Sequence, residues 1–164
     1  MGILVNSKQY PKALAFVDEL ERRHPEEAKD KFDKYRVNVL IQAGQLEQAQ
    51  QLAMRTPGPE QAVSLYSIGV AAWNKVYNNN TIDYAAKQQK VELGLAAQKK
   101  ALELKPDYFD AMFYYGLLLR EKAKLETDAN ARTADVNEAQ TWLTKGLELR
   151  KKAQAATPAP APGK

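Results

Sequence analysis

The sequence predicts an all-α protein built from repeated helical hairpins, on three observations. The first is composition: Leu, Ala, Lys, Glu and Gln dominate the 164 residues, and these side chains lose little rotamer freedom in a helix. The second is a gapless internal match. Residues 91–105 read VELGLAAQKKALELK and residues 136–150 read VNEAQTWLTKGLELR; ahead of them lie a second matched pair, YSIGVAAWNK at 66–75 and FYYGLLLREK at 113–122. The third is periodicity. Leu65, Ile68, Gly69 and Ala72 share one helical stripe, and Met112, Tyr115, Gly116 and Leu119 share its counterpart, each at the i, i+3, i+4, i+7 spacing of a buried face. Glycine in mid-helix costs about 1 kcal/mol relative to alanine. Its recurrence at Gly69 and Gly116 predicts a partner helix crossing too closely for a side chain.

The elements follow in order. Ile3-Leu4-Val5 reads as the last turn of a first helix, followed by a second helix over roughly 9–24 that ends at His24-Pro25. The next unit has a helix at about 28–42, a turn, and a helix from GlyGlnLeuGluGlnAla onward. Pro106 stops the helix of residues 91–105, because proline cannot continue the hydrogen-bond ladder, and Asp107 is placed to cap the next helix. Extra residues around 76–90 and 123–134 hold the polar stretches Asn78–Thr81 and Thr127–Asn130. They predict lengthened first helices with longer turns, forming two tips on one edge. Asn79-Asn80-Thr81 also matches a glycosylation acceptor, but the match is weak and a turn explains the residues better. Arg150-Lys151-Lys152 is expected to close the last helix, where cations meet the helix dipole, and 153–164, rich in Pro and Ala, should be an extended, disordered tail.

The run AlaLeuGluLeuLysPro at 101–106 and AspTyrPheAspAlaMetPheTyrTyrGly at 107–116 resembles the join between two tetratricopeptide repeats. LysGlnTyrProLysAlaLeuAlaPheVal at 8–17 and GlyGlnLeuGluGlnAlaGlnGlnLeuAla at 44–53 are similar to the family's turn and second helix. The resemblance covers about residues 3–152 and implies a right-handed superhelical array of antiparallel hairpins, a TPR-like solenoid. Its units are a partial repeat at 3–25, a repeat at 28–56, and extended repeats at 60–105 and 107–152, against a usual length of ~34 residues. The partial first repeat leaves Leu14, Val17 and Leu20 with nothing to cover them. This suggests the carboxyl-terminal part of a longer bacterial-type protein, with Met1-Gly2 added ahead of it; the alternative is self-association through the open end.

The resemblance also implies that first helices line a concave groove holding a partner's protein or peptide segment. One stripe over from the core lie Tyr66, Val70 and Trp73, then Phe113, Tyr114, Leu117 and Arg120, and on the earlier helix Tyr35 and Asn38. Their aromatic rings offer large area with few rotamers to freeze; the competing expectation is that they are simply more core. The family's two-carboxylate clamp is broken here. Lys34 and Asn38 match its first pair, but Ser67, Asp110 and Tyr114 stand where Asn, Lys and Arg are needed.

Several function classes are disfavoured. The chain has no cysteine and one histidine, His24, so disulfides and thiolate metal sites are excluded. Glu26-Glu27 and Asp30-Asp33 read as helix-start and solvent-face charges rather than ligands. No phosphate loop, nucleophile motif or tuned acid pair is present. The expectation is a non-enzymatic protein without cofactor or metal. The net charge of +4 is scattered among 20 acidic residues, so no basic stripe for nucleic acid is expected. No apolar run reaches the roughly 20 residues that span a bilayer, and Met1–Val5 is too short for a secretory signal. Cytoplasm and periplasm both remain open. A structural role, with the array stacking end to end or inside a larger complex, is the second reading.

Overall fold

A computed structural model describes residues 2–27, 29–79 and 81–156. These residues form eight α-helices and no strand, with 81% of them helical. The helices are α1 (Gly2–Asn6), α2 (Tyr10–Arg23), α3 (Lys29–Gln42), α4 (Leu46–Arg55), α5 (Gln61–Tyr77), α6 (Tyr84–Leu104), α7 (Phe109–Ala123) and α8 (Ala129–Ala156). Every substantial pairing joins helices one or two places apart in the chain: each helix packs on its sequence neighbour, and α3 meets α5, α5 meets α7 and α4 meets α6. One core runs through these pairings, from Val37, Leu40, Leu46 and Ala49 through Leu65, Ile68 and Ala72 to Ala97, Ala101, Ala111 and Met112.

Local chemistry sets most of the boundaries. Gly44 has φ +78°, the left-handed conformation glycine adopts without penalty, which turns the Gly44 and Gln45 amides back onto the Ile41 and Leu40 carbonyls. Asp83 caps α6 by accepting from the Ala86 amide at 2.9 Å, and Asp128 does the same for Ala131 at 2.7 Å. Gln61, buried, donates from Nε2 to the Ala53 carbonyl at 2.9 Å and so ties the start of α5 to the end of α4.

The two mid-helix glycines sit where close crossings are expected. A Cβ on Gly69 would lie 2.3 Å from Gln98 Nε2 of α6; one on Gly116 would lie 2.8 Å from Leu143 Cγ and 3.0 Å from the Ala139 carbonyl oxygen of α8. Both second helices therefore rest against the backbone of their first helices.

Other expectations are corrected. The extra residues lengthen the second helices rather than the first: residues 84–90 belong to α6 and 129–134 to α8, which reach 21 and 28 residues. Capping explains this, since Asp83 and Asp128 start those helices early. The tips lie side by side, with the Tyr84 hydroxyl donating to the Leu125 carbonyl at 2.7 Å. The Asn79 carboxamide oxygen accepts from the Thr81 amide and hydroxyl, closing a turn. Tyr108, not Asp107, occupies the N-cap of α7, without a side-chain cap. Arg150-Lys151-Lys152 does not end α8, which continues through Ala156, the last described residue. Residues 153–156 of the expected tail are therefore helical; 157–164 lie outside the described residues.

At the amino-terminal end the stripe of α2 is covered. Val17 is fully buried, Leu14 packs on the core and Leu20 is half-buried, since α2 lies against α3. What stays exposed is Ile3 and Phe16. Asp33 is not a solvent-face charge: it is buried, accepting from Arg36 at 2.8 Å and from the Thr56 hydroxyl at 2.7 Å. Arg36 also binds Asp18 and Glu21 of α2, and its proton is held more tightly than usual by these carboxylates despite burial. One guanidinium thus joins α2 to α3, with Thr56 linking the end of α4.

Candidate functional site

The candidate site is built on α5 and α7, which pack side by side. Tyr66 and Trp73 project from α5 and Tyr114 from α7. The Tyr66 ring lies 5.8 Å from that of Tyr114, and Trp73 lies 5.6 Å from Tyr114, both edge to face. Two rings that the stripe did not include extend the row. Tyr108 sits 4.9 Å from Tyr66 at one end, and Tyr77 stacks on Trp73 at 4.6 Å at the other. The result is a continuous ladder, Tyr108–Tyr66–Tyr114–Trp73–Tyr77. Edge-to-face and offset pairs at such distances are mutually favourable, so the rings hold one another in place. None is buried: four are half-buried and Tyr77 is 56% exposed.

The sequence contains a signal for Tyr77. Tyr66, Val70, Trp73 and Tyr77 fall at i, i+4, i+7 and i+11, one continuous stripe. Tyr108 carries no such signal, because it precedes the first residue of α7 and reaches Tyr66 only through the way the two helices pack.

The other candidate residues divide. Val70 and Leu117 are half-buried on the helices that carry the ladder, while Asn38 and Tyr35 (41% exposed) stand on α3, which also packs on α5. Phe113 does not line up with Tyr66 and Trp73. Its ring reaches toward Gly146, where an added Cβ would lie 3.5 Å from Phe113 Cζ. Arg120 likewise leans to α8 and donates to Gln140 Oε1 at 3.2 Å. Lys34 is engaged by Glu60 at 2.7 Å, and Ser67 donates to the Val63 carbonyl.

Electrostatics distinguish the Tyr108 end. Burial pushes the Tyr66 phenol up to about 12, with the Asp110 carboxylate adding to the effect. Tyr108 is raised for the same two reasons, while Lys105 Nζ sits 4.9 Å from its ring centroid. Both phenols hold their protons more tightly than a free tyrosine. Beside them, Lys105, Tyr108, Asp110, Leu149, Lys152 and Ala153 line a cleft of about 390 Å³. The arrangement presents flat apolar rings with polar rims, suited to holding a ligand by contact area.

His24 lies far from this face in sequence and pairs with Glu26 at 3.2 Å, both exposed. Among the described residues, no three His, Asp or Glu side chains converge as metal ligands, and no helix is long and apolar enough to cross a membrane. Comparison of the chain with protein-family models, with curated proteins and with solved structures finds no match in any of the three.

Proposed function

We propose that this chain is a TPR-like helical repeat scaffold that binds an extended or helical segment of a partner protein along α3, α5 and α7. The observation that carries the reading is the ring ladder. Five aromatic side chains stand in one row without being buried, and a folded chain gains more by burying such area than by leaving it half in water. The helix pairings, each between near neighbours in the chain, support a stacked array whose first helices share a concave face. Tyr66, Trp73 and Tyr114 are the anchors, Tyr35 and Asn38 extend the surface toward α3, and Val70 and Leu117 form its floor.

The test is selection of ligands from a displayed random-peptide library, followed by Trp73→Ala and Tyr114→Ala. We expect selected peptides to lose roughly 30-fold in affinity, about 2 kcal/mol, as for other aromatic anchors, while thermal melting changes little. Loss of folding in both variants, or peptides that bind the variants unchanged, would remove the rings from the site.

A second reading, assembly into a larger structure, is favoured by exposed Ile3 and Phe16 at one end and by Val136 and Leu147 exposed on α8 at the other. Sedimentation across a concentration series decides it, with Phe16→Ser and Leu147→Ser expected to lower any association.

A further inference from the structure

We propose that the Tyr108 end of the ring ladder seats a lysine or arginine side chain of the bound segment, its cation lying against the Tyr66 and Tyr108 rings and facing the Asp110 carboxylate. The inference rests on the docking reading given above and adds the chemistry of the ligand at one end of that face. Its starting point is a carboxylate without a counter-ion. Asp110 is half-buried in the first turn of α7, and its carboxylate has no ion-pair or hydrogen-bond partner among the described residues. Every other buried or half-buried acid among those residues meets a base, as Asp33 meets Arg36, Glu47 meets Lys90 and Asp135 meets Lys122. A carboxylate in the first turn complements the helix dipole, which accounts for an acid at this position. It does not account for where this one stands. Asp110 lines the same cleft as Tyr108, and after burial its charge is the next cause that holds the Tyr66 and Tyr108 phenols protonated.

The rings set the sign of the ligand. An aromatic face is negative, so it attracts a cation and repels an anion, and the Asp110 carboxylate beside two such faces acts in the same direction. A cation of this chain is already drawn there. Lys105, at the end of α6, holds its Nζ 4.9 Å from the Tyr108 ring centroid, within the roughly 6 Å over which the attraction acts. Lys105 and Lys152 both line the cleft, yet both are exposed. Their ammonium groups stay in water and leave Asp110 unpaired, so an arriving cation gains a partner that the chain itself does not supply. The long stem of a lysine or arginine suits the rest of the seat. Its methylenes lie along the apolar ring faces while the charged head reaches the carboxylate. Tyr66 and Tyr108, 4.9 Å apart and tilted by 39°, offer such a stem two adjoining faces.

The test uses the full chain with isotope-labelled tyrosine rings and three small probes compared by NMR titration. They are the Nα-acetyl methylamides of lysine, of norleucine, which matches the lysine stem without the charge, and of glutamate. The lysine probe should move the Tyr66 and Tyr108 ring signals and spare Tyr77 at the far end of the ladder. Its affinity should exceed that of the norleucine probe roughly fivefold, as for a cation on a partly exposed ring. Asp110→Asn, nearly isosteric, should remove that preference. Melting shows whether the variant still folds, and the lysine–norleucine comparison on the unsubstituted chain stands without any variant. Equal binding of the two probes, a preference for the glutamate probe, or a lysine preference that survives Asp110→Asn would overturn the proposal. Library-selected peptides separate this result from the docking reading. If ring-dependent peptides keep their affinity when each basic residue is replaced by norleucine, the cation seat fails while the docking reading stands. If no ring-dependent peptide is selected, the docking reading falls, and the three probes alone decide whether the seat exists.

Discussion

α6 and α8 carry sequences that align without a gap and cross their partner helices at equivalent places, yet they live in different surroundings. α6 packs on α4, α5 and α7, whereas the substantial packing of α8 among the described helices is on α7. The consequence is visible residue by residue. Gly94 of α6 has no room for a side chain, since a Cβ there would lie 2.9 Å from both Leu118 methyls and 3.0 Å from Ala72 Cβ; its equivalent in α8 is Ala139. Gln98 of α6 is the equivalent of Leu143. Both lie over a glycine, but Gln98 is fully buried, donating from Nε2 to the Tyr66 carbonyl at 3.1 Å and leaving Oε1 without a partner among the described residues. Tyr66 of α5 is the equivalent of Phe113. Tyr66 has α7 beside it and joins the ladder; Phe113 has no further helix on that side among the described residues and turns to Gly146. Two segments that align without a gap thus cross their partner helices at matching places, and the neighbour decides what a side chain at that place does.

The sharpest way to break the comparison is Gly116→Ala. Helix propensity alone would gain about 1 kcal/mol, but the new methyl meets a backbone carbonyl that cannot swing aside. We expect a net loss of about 3 kcal/mol, at the upper end for overpacking, read as a fall in the melting temperature. Gly69→Ala should cost less, about 2 kcal/mol, because its obstacle is the Gln98 side chain. That cost should largely vanish when Gln98→Ala is combined with it. A double-mutant cycle that is additive would show that the two do not share the crossing.

Gln98→Met should stabilise the protein by about 1 kcal/mol, since it removes an unpartnered buried acceptor at the expense of one hydrogen bond. That corresponds to roughly 2–4 °C in a chain of this size. An unchanged or lower melting temperature would show that Gln98 is fully satisfied.

The smallest effect concerns pH. The Tyr66 phenol is raised from 10 to about 12. A group whose pKa is higher in the folded state stabilises fully below its unfolded pKa, and that contribution is lost as pH rises through the folded value. Stability should therefore decline between pH 10 and 12. Tyr66→Phe, which installs the residue of the equivalent position, should melt nearly as the parent does at neutral pH and decline less steeply in that window.

Much of the fold is legible in the chain of residues alone. Helix locations, the Pro106 break and the close crossings at Gly69 and Gly116 are written in periodicity, in a residue that cannot continue a helix, and in a residue whose mid-helix cost demands a reason. Three of the five rings of the ladder are legible too, because Tyr66, Trp73 and Tyr77 keep one helical face. Tyr114 is legible as a neighbour of the stripe, but its role as the rung between Tyr66 and Trp73 is not. The polar stretches at 78–81 and 127–130 mark a tip without saying where the next helix begins, so they point to the wrong helices for the added length. Which aspartate caps is what settles it.

By itself, the sequence determined the all-α class and the buried stripes of the central helices, since these depend on local propensity and on spacing along a single helix. Only the tertiary structure decided that Asp33 is buried beside Arg36, that Tyr108 joins a row begun on α5, and that Phe113 leaves it. Each of these depends on a partner brought near by packing between helices, over separations that no helical period encodes. Energetically they are decided by burial and pairing, and those belong to the assembled core rather than to any one segment.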